Sequence, residues 1–303
     1  MEVIRLCSQA KINLFLNIKG VREDGYHEIE TVMQSISLAD RVKLEKNRGG
    51  IGIYCDLPYV PRDERNIAYK AANLFFEQTG KRGGVFIAIR KKVPVGAGLA
   101  GGSGNAAAVL IGLNELYRTG LSEQELCEMG AKLGADVPFC ITGGTQLASG
   151  IGEQLSQLPP PPNLKLLIVK PRRSISTPLV YQKYDELCRK AELAGERFPA
   201  EQPELSTFYR KLKAGNPAPY FANVLEPVTG TLCREVPVLL RLIERCGARA
   251  MMSGSGTAVF GVFEDERART ACQRKIRAEF RDAFVSTAEP VSYGVRIKGR
   301  EGE

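Results

Sequence analysis

The stretch PVGAGLAGGSGNAAAVL (Pro94–Leu110) is the part of this sequence whose composition is most directly suited to chemistry. Glycines let backbone N–H groups close around phosphate oxygens, and a helix N-terminus adds the positive end of its dipole. The alanine-rich run predicts such a helix, beginning near Gly104 or Asn105. Ser103 places a hydroxyl at that end, where it suits a phosphate or a magnesium ion.

Two other interpretations of the same stretch are weaker. A simple turn would carry fewer glycines, since each one adds unfolded-state entropy that folding must overcome. Gly96-x-Gly98-x-x-Gly101 has dinucleotide-binding spacing, but that fold needs a second parallel strand ending in an acidic residue about twenty residues later. Here another helix follows, and no strand is indicated before about Gln146. We therefore favour a phosphate cradle for a nucleoside triphosphate.

Three polar residues stand where a purely structural role is not the only interpretation. Lys11 and Asn13 interrupt an apolar strand and lie on one face of it. A lysine there costs desolvation free energy unless it meets an anion, although a lysine on an edge strand can extend its ammonium group to water. Asp136 shortly precedes Pro138 and either caps a turn or serves as a carboxylate base. From the residues alone, both alternatives stay open for Lys11 and for Asp136.

A tyrosine–histidine pair follows a turn signal near the N-terminus. Tyr26 and His27 come directly after Asp24-Gly25, a combination typical of turns. Such a pair is more often an exposed loop than a binding site. His27 is also the single histidine of the chain, which excludes any mechanism that needs two imidazoles.

Strand and helix signals alternate along the whole chain. Period-two apolar patterns, and one continuous apolar run, predict strands at Val3–Ile18, Ser37–Glu45, Val85–Arg90 and Leu164–Lys170, on both sides of MMSGSGTAVFGVF (Met251–Phe263), and at Val291–Ile297. Helical spacing predicts helices at Asn66–Thr79, Asn105–Arg118, Ser122–Leu133, Pro178–Ala194, Glu204–Ala214, Leu225–Cys246 and Glu264–Phe280. Four consecutive prolines, Pro159–Pro162, break the pattern. The sequence therefore predicts an α+β protein with a boundary near residue 160.

Composition and charge limit the functional classes. The chain of 303 residues, 44% hydrophobic and 25% charged, is typical of a globular protein of one large or two smaller domains. No apolar run approaches the roughly 18 residues of a membrane span, and the N-terminus is interpreted as a strand rather than a signal peptide, which favours a cytoplasmic location. Eight scattered cysteines without a C-x-x-C pair favour free thiols. The net charge of +8 favours anionic partners, but no basic block interleaved with aromatics indicates nucleic-acid binding.

The glycine stretch resembles the phosphate motif of the superfamily of galactokinase, homoserine kinase, mevalonate kinase and phosphomevalonate kinase. Three further stretches extend the resemblance. Ala10–Asp40 and Gly134–Leu155 are similar to the N-terminal signature and the catalytic-aspartate segment of the 4-diphosphocytidyl-2-C-methyl-D-erythritol kinase family within it, and Met251–Phe263 resembles the third motif of the superfamily. The matches occur in family order. The DGYHE segment (Asp24–Glu28) is the most specific of them.

The resemblance implies a fold, a reaction and ligands. The fold would be the two-domain α+β form, with an N-terminal ribosomal-protein-S5-domain-2-like half (residues 1–160) that carries the ATP-binding and catalytic groups and a C-terminal ferredoxin-like half (residues 161–303). The reaction would be ATP-dependent phosphorylation of the 2-hydroxyl of a cytidine diphosphate-linked polyol in non-mevalonate isoprenoid synthesis, with Mg²⁺ held mainly by phosphates and water. We expect no nucleic-acid or membrane partner, and a monomer or weak homodimer.

The resemblance also implies roles for individual residues. Asp136 would be the base and Lys11 its electrostatic partner, with the site between the two halves. The substrate would be oriented by Asn13, met at its cytidine end by Tyr26 and His27, and covered on the other face of the cytosine by Tyr181. The nucleotide phosphates would be held by Pro94, Val95, Gly96, Ala97, Gly98, Leu99, Ala100, Gly101, Gly102, Ser103 and Gly104.

The sequence departs from the family at a few positions. Ala100 and Gly104 stand where relatives often have a glycine and a second serine, so Ser103 is the only hydroxyl of the loop. Thr257 follows the third-motif glycines where relatives often have proline, and Asn223–Glu226 lacks the aspartate of a related segment. Two rival functions remain: another superfamily kinase acting on homoserine or mevalonate, and a non-catalytic binder of nucleotide or nucleic acid.

Overall fold

The computed structural model describes residues 2–199 and 204–301, so Met1 and Glu303, the ends of the two predicted halves, lie outside it. The strands are β1 (Val3–Val21), β2 (His27–Asn47), β3 (Ile51–Cys55), β4 (Gly84–Arg90), β5 (Thr145–Ser149), β6 (Gln154–Gln157), β7 (Lys165–Lys170), β8 (Ala222–Asn223), β9 (Arg249–Met252), β10 (Val259–Phe263), β11 (Phe284–Ala288) and β12 (Val295–Glu301). The helices are α1 (Ile67–Thr79), α2 (Gly101–Leu116), α3 (Glu123–Ala131), α4 (Asp136–Thr142), α5 (Thr177–Leu193), α6 (Leu205–Lys213), α7 (Glu226–Leu232), α8 (Glu235–Arg245) and α9 (Glu266–Glu279).

A long hairpin organises the first sheet. Its strands β1 and β2 are 19 and 21 residues long, several times the usual strand length of about 5–6 residues. The path through the sheet is β12-β1-β2-β4-β3, with β5 attached to β2, β6 attached to β5, and β8 attached to β1. Gly25 turns the hairpin with φ 82°, and the Asp24 carboxylate accepts a hydrogen bond from the Tyr26 backbone N–H at 3.1 Å. The predicted turn is confirmed, and it places Tyr26 and His27 at the hairpin tip.

The second sheet has the order β11-β7-β10-β9, and all of its pairs are antiparallel. If the four strands are numbered by their order along the chain, their order across the sheet is fourth, first, third and second. Helices α5 to α8 follow the first strand and α9 follows the third, which is the split β-α-β arrangement of a ferredoxin-like unit. The predicted α+β class and the ferredoxin-like C-terminal half are confirmed.

Helix α2 packs on the first sheet at very short range. Ala106, Ala107 and Ala108 are fully buried, and small side chains allow this close approach. A Cβ added at Gly112 would lie 2.4 Å from Leu44 Cδ1 on β2, so the helix backbone itself contacts the sheet. The short distance fixes the N-terminus of α2 relative to β1, which carries Lys11 and Asn13.

Several boundaries differ from the predictions. Helix α2 begins at Gly101, three or four residues before the predicted start, because the glycines that should form a loop form its first turn. Leu225–Cys246 is not one helix: α7 ends at Leu232, and buried Cys233 adopts an extended conformation before α8 begins. Helix α4 was not predicted, since its seven residues are too few to show a helical period.

The closing strand is shifted as well. It spans Val295–Glu301 rather than Val291–Ile297, because Pro290 and Val291 bridge to β2 before the strand begins. Strands β8 and β12 both follow the proline run yet pair with β1 of the first sheet. The chain therefore returns twice from its second half to its first.

Local predictions at helix ends are confirmed elsewhere. The Ser122 hydroxyl accepts a hydrogen bond from the Glu125 N–H while the Glu125 carboxylate reaches back to the Ser122 N–H, which forms the predicted capping box. Gly80 ends α1 in a left-handed conformation. Among the described residues, no helix is both long and apolar enough to cross a membrane.

Candidate active site

The structure brings Lys11 and Asp136 together. Lys11 Nζ lies 3.7 Å from Asp136 Oδ2 and donates a hydrogen bond to Asn13 Oδ1 at 2.8 Å. The lysine side chain is 6% exposed, whereas the aspartate side chain is 37% exposed and faces a cavity. Asp136 is the first residue of α4, directly after the N-cap residue Ala135. A buried ammonium group thus supports a carboxylate that solvent or substrate can reach.

Asn13 is fixed by neighbours on two sides. Its side-chain amide donates to Thr31 Oγ1 at 2.7 Å, and the Thr31 hydroxyl donates in turn to the Phe15 carbonyl at 2.7 Å. The Asn13 backbone N–H donates to Ser253 Oγ at 3.3 Å. The side-chain nitrogen of Asn13 therefore faces Thr31, and its side-chain oxygen faces Lys11.

The two glycine-rich segments touch each other. Ser253 Oγ donates to the Gly98 carbonyl at 3.0 Å, and the Ala258 N–H donates to the Ala97 carbonyl at 3.1 Å. A Cβ added at Gly98 would lie 2.2 Å from the Ser253 carbonyl oxygen. Gly254 has φ 56° and a Cβ there would lie 3.5 Å from Lys11 Nζ. The third motif thus holds the phosphate loop (Pro94–Gly104) next to Lys11.

The departure at position 100 has a structural consequence. Ala100 caps α2 in the left-handed region with φ 55°, where a glycine is favoured. Gly104 is buried, and a Cβ there would lie 3.3 Å from the Gln9 carbonyl oxygen and 3.4 Å from Ser8 Cβ. A serine at position 104 would therefore crowd β1, and Ser103 remains the hydroxyl of the loop that lines the cavity.

A buried cluster of charged and polar side chains around Asp40 supports the phosphate loop. Asp40 is fully buried and its carboxylate accepts hydrogen bonds from Lys91 Nζ, from the backbone N–H groups of Lys92 and Val93, and from Asn105. Asn105 Oδ1 accepts a second bond from Lys91 Nζ at 3.0 Å. The cluster joins β2, the start of the loop and the first turns of α2, so that the loop is held at both ends.

A second cluster fixes the third motif. The Asn223 amide donates to the carbonyls of Met252 and Gly254, each at 2.8 Å, and Glu226 accepts from the Met252 N–H at 2.8 Å. Burial raises the pKa of Glu226 above its ordinary value of 4.5. The segment that lacks the aspartate of relatives thus retains the two side chains that bind the glycine turn.

The residues expected at the cytidine end also lie together. His27 Nε2 is 2.7 Å from Asp185 Oδ1, and the His27 and Tyr181 rings lie with centroids 4.7 Å apart. Burial, with a contribution from the Asp136 charge, raises the pKa of Tyr181 to about 12, so its phenol stays protonated. Tyr26 is 61% exposed at the hairpin tip. Tyr26, His27 and Tyr181 all line the cavity that contains Asp136.

One cavity of about 630 Å³ joins these groups. Lys11, Asp136 and Ser103 line it together with Tyr26 and His27. A second cavity, of about 780 Å³, lies against Pro94–Gly96 and is also lined by Lys92, Tyr59 and Arg172. The phosphate loop therefore borders both cavities.

Some site residues were not found from sequence. Asp185, Thr177 and Ser253 each contribute to the cavity or its wall. Asp185 stands one helical turn after Tyr181, a spacing that puts both on one face of α5, and this was the available signal. Ser253 and Thr177 gave no signal, because ordinary serines and threonines acquire their roles here only through contacts distant in sequence.

The chain belongs to the GHMP kinases, and the geometry of the site agrees with that class. Residues 66–144 match the family model described as GHMP kinases N terminal domain, and residues 201–282 match GHMP kinases C terminal. With this fold and with kinase relatives along nearly its full length, it is an ATP-dependent small-molecule kinase. The predicted two-domain architecture is confirmed at this level.

The relatives narrow the class. The chain is 43% identical over 289 residues to the 4-diphosphocytidyl-2-C-methyl-D-erythritol kinase of Acetivibrio thermocellus, covering 94% of this chain and 99% of that protein. It is similar to a crystal structure of 4-(cytidine 5'-diphospho)-2C-methyl-D-erythritol kinase with a TM-score of 0.77 and 33% identity, covering 94% of this chain and 99% of that one. A homoserine kinase from Cytophaga hutchinsonii has a TM-score of 0.76 at 18% identity, covering 98% and 97%, which shows the shared fold alone.

Proposed function

We propose that this kinase phosphorylates the 2-hydroxyl of 4-diphosphocytidyl-2-C-methyl-D-erythritol in non-mevalonate isoprenoid precursor synthesis. The observation that carries the proposal is that one cavity is lined both by Lys11 and Asp136 and by Tyr26 and His27. Its volume of about 630 Å³ suits one small-molecule ligand. The name shared by the curated relatives supports the same substrate.

Asp136 is the proposed base. An alcohol is a weak nucleophile until its proton is removed, and a kinase achieves this mainly by positioning plus electrostatic stabilisation. The carboxylate of Asp136 accepts the proton of the substrate hydroxyl as the oxygen attacks the terminal phosphorus of ATP, and the bond from that phosphorus to the bridging oxygen breaks so that ADP leaves. Lys11 Nζ, 3.7 Å from that carboxylate, stabilises the charge that develops on the attacking oxygen and the phosphoryl group.

The nucleotide is proposed to lie across the phosphate loop. Its phosphates would meet the first turn of α2, whose N–H groups and dipole favour anions. The adenosine end would enter the cavity bordered by Pro94, Tyr59, Lys92 and Arg172, which Asp136 does not line. Both substrates then approach one loop, and the loop aligns the phosphoryl group with the alcohol.

Magnesium fits this site only as a phosphate-bound ion. No group of three or more His, Cys, Asp or Glu side chains within residues 2–199 and 204–301 is arranged to hold a metal. Ser103 offers an oxygen donor beside the loop, the ligand type that Mg²⁺ prefers. When bound, the ion would neutralise phosphate charge, and Ser103 would hold it together with the nucleotide.

A panel of acceptor alcohols tests the proposal. ADP formation is measured with ATP, Mg²⁺ and each of three alcohols: 4-diphosphocytidyl-2-C-methyl-D-erythritol, mevalonate and homoserine. We expect turnover with the cytidine-linked alcohol. Turnover only with mevalonate or homoserine would contradict the proposed substrate, and no turnover with any alcohol despite ATP binding would support a non-catalytic binder.

A further inference from the structure

The imidazole of His27 contacts three residues of helix α5. Its Nε2 lies 2.7 Å from Asp185 Oδ1, and its ring packs against Tyr181 at 4.7 Å and against Tyr184 at 6.1 Å between centroids. The His27 side chain is only 9% exposed. The ring is therefore oriented by a helix from the second half of the chain although it belongs to the hairpin of the first.

The chemistry of the pair fixes the position of the proton. An ionised carboxylate can only accept hydrogen bonds, so Nε2 must donate its hydrogen to Asp185. A neutral imidazole carries one hydrogen, and Nδ1 is then left with a lone pair. Within the described ranges, the hydrogen bond to Asp185 is the one recorded for the ring, and His27 lines the cavity proposed to hold the substrate.

We propose that Asp185 is a positioning residue that holds His27 as the Nε2–H tautomer, so that the acceptor Nδ1 selects a pyrimidine with an exocyclic amine. The inference rests on the proposed function. Cytosine presents a 4-amino donor to such an acceptor, whereas uracil presents an oxygen whose lone pair opposes that of Nδ1. Selection therefore comes from repulsion of the wrong base as well as from attraction of the right one.

The neighbouring carboxylate does not share this role. Glu186 follows Asp185 directly in α5, but it pairs with Lys183 at 2.8 Å and with Lys190 at 2.9 Å. Tyr181 and Asp185 stand four residues apart and face His27 together. Glu186→Gln is therefore a matched control that removes a charge one position away without contacting the histidine.

The tautomer can be observed directly. Because the chain has a single histidine, the protein labelled with ¹⁵N-histidine gives one pair of ring nitrogen signals, which we would record at about pH 8. We expect Nε2 to carry the hydrogen in the wild type and in Glu186→Gln, and Asp185→Leu to show exchange between the two tautomers. A wild-type ring protonated at Nδ1, or at both nitrogens, would overturn the proposal.

Base selection is measured by calorimetry with cytidine 5'-diphosphate and uridine 5'-diphosphate. We expect the wild type to prefer the cytidine nucleotide, and Asp185→Leu to bind it about tenfold more weakly and to lose most of the preference. Turnover should show a raised KM with kcat little changed, because Asp185 contacts His27 rather than the Lys11–Asp136 pair. An unchanged preference in Asp185→Leu would overturn the proposal.

Two further outcomes separate this inference from the proposed function. If Asp185→Leu does not fold, Asp185→Asn keeps the side-chain shape and replaces it in the test. An amide can accept a hydrogen bond from Nε2–H or donate one to Nε2, so we expect a smaller loss of the preference for the cytidine nucleotide. Full retention of that preference would count against Asp185. If the wild type binds neither nucleotide, the proposed substrate is wrong. The NMR measurement then still decides whether Asp185 sets the tautomer.

Discussion

At the scale of single residues, the candidate chemistry depends on a buried cation beside an accessible anion. Lys11 lies in a strand core where an unpaired charge would be costly, and Asn13 and Asp136 compensate it. The pairing implied by the family resemblance is present in the structure. The role of each residue in catalysis remains a prediction.

Asp136→Asn should remove the base while it keeps the size of the side chain. We expect kcat to fall by about 10²–10⁴, the usual contribution of general acid–base catalysis. Binding of ATP should persist, because the loop and α2 do not depend on this carboxylate. Steady-state kinetics and nucleotide titration measure the two effects. Glu123→Gln, in the first turn of α3, is a control that should leave both unchanged, and a kcat within a factor of about two of wild type in Asp136→Asn would refute the assignment.

At the scale of elements, two glycine turns from different halves of the chain form one structure. Gly98 and Ser253 meet so closely that no side chain fits between them. Each turn is therefore a packing surface for the other.

Gly98→Ala tests this contact. Its Cβ would lie 2.2 Å from the Ser253 carbonyl oxygen, and its backbone, at φ 73°, disfavours a side chain as well. We expect the free energy of unfolding to fall by about 2 kcal/mol or more. Gly102→Ala is the matched control, since its Cβ would make an ordinary contact at 3.6 Å with Ile67 and should change stability by no more than about 1 kcal/mol. Equal urea midpoints for the two variants would contradict the packing described here.

Glu226, which accepts a hydrogen bond from the third motif at the Met252 N–H, makes the stability of the fold depend on pH. Burial raises its pKa in the folded state above the ordinary 4.5, so its contribution to stability is fully present below that ordinary value and is lost as the pH rises through the raised pKa. Glutamine does not titrate, and its amide oxygen can still accept the Met252 N–H. The stability of Glu226→Gln relative to wild type should therefore increase with pH over this range. Urea unfolding at a series of pH values measures it, and a constant difference would contradict the assignment.

The sequence predicted these elements well where the signal was local. The capping box at Ser122 and the end of α1 at Gly80 follow from residues within one turn. The start of α2 did not, because intrinsic propensity places glycines outside a helix and packing overrode it. A Cβ at Gly101 would lie 3.0 Å from Val93 and 3.1 Å from Lys91 Nζ, a crowding that only the folded loop creates.

At the scale of the whole molecule, the site is assembled from both halves of the chain. The first half supplies Lys11, Asp136 and the phosphate loop, and the second supplies the third motif and the face of α5 with Tyr181 and Asp185. Strands β8 and β12 tie the second half back to β1. A movement of one half relative to the other would change the shape of this cavity.

At this scale the sequence predicts the motifs along the chain but not the contacts between residues that are distant in it. Motif order identified the superfamily, and the resemblance predicts that Lys11 and Asp136 carry the chemistry. Pattern and period could not place β12 beside β1 or Asp185 beside His27, because those contacts join residues far apart in the chain. Such long-range pairing depends on how the whole chain packs, and local patterns in one sequence do not predict it.

The most direct test of the central claim is the phosphorus NMR spectrum of the product. The protein is incubated with ATP, Mg²⁺ and 4-diphosphocytidyl-2-C-methyl-D-erythritol, and the new phosphomonoester signal is recorded without proton decoupling. The carbon that bears the 2-hydroxyl also bears the methyl group and no hydrogen. We therefore predict an unsplit phosphomonoester resonance that appears together with ADP. A resonance split by coupling to carbon-bound hydrogens, or ADP formation without a new phosphomonoester, would contradict the account.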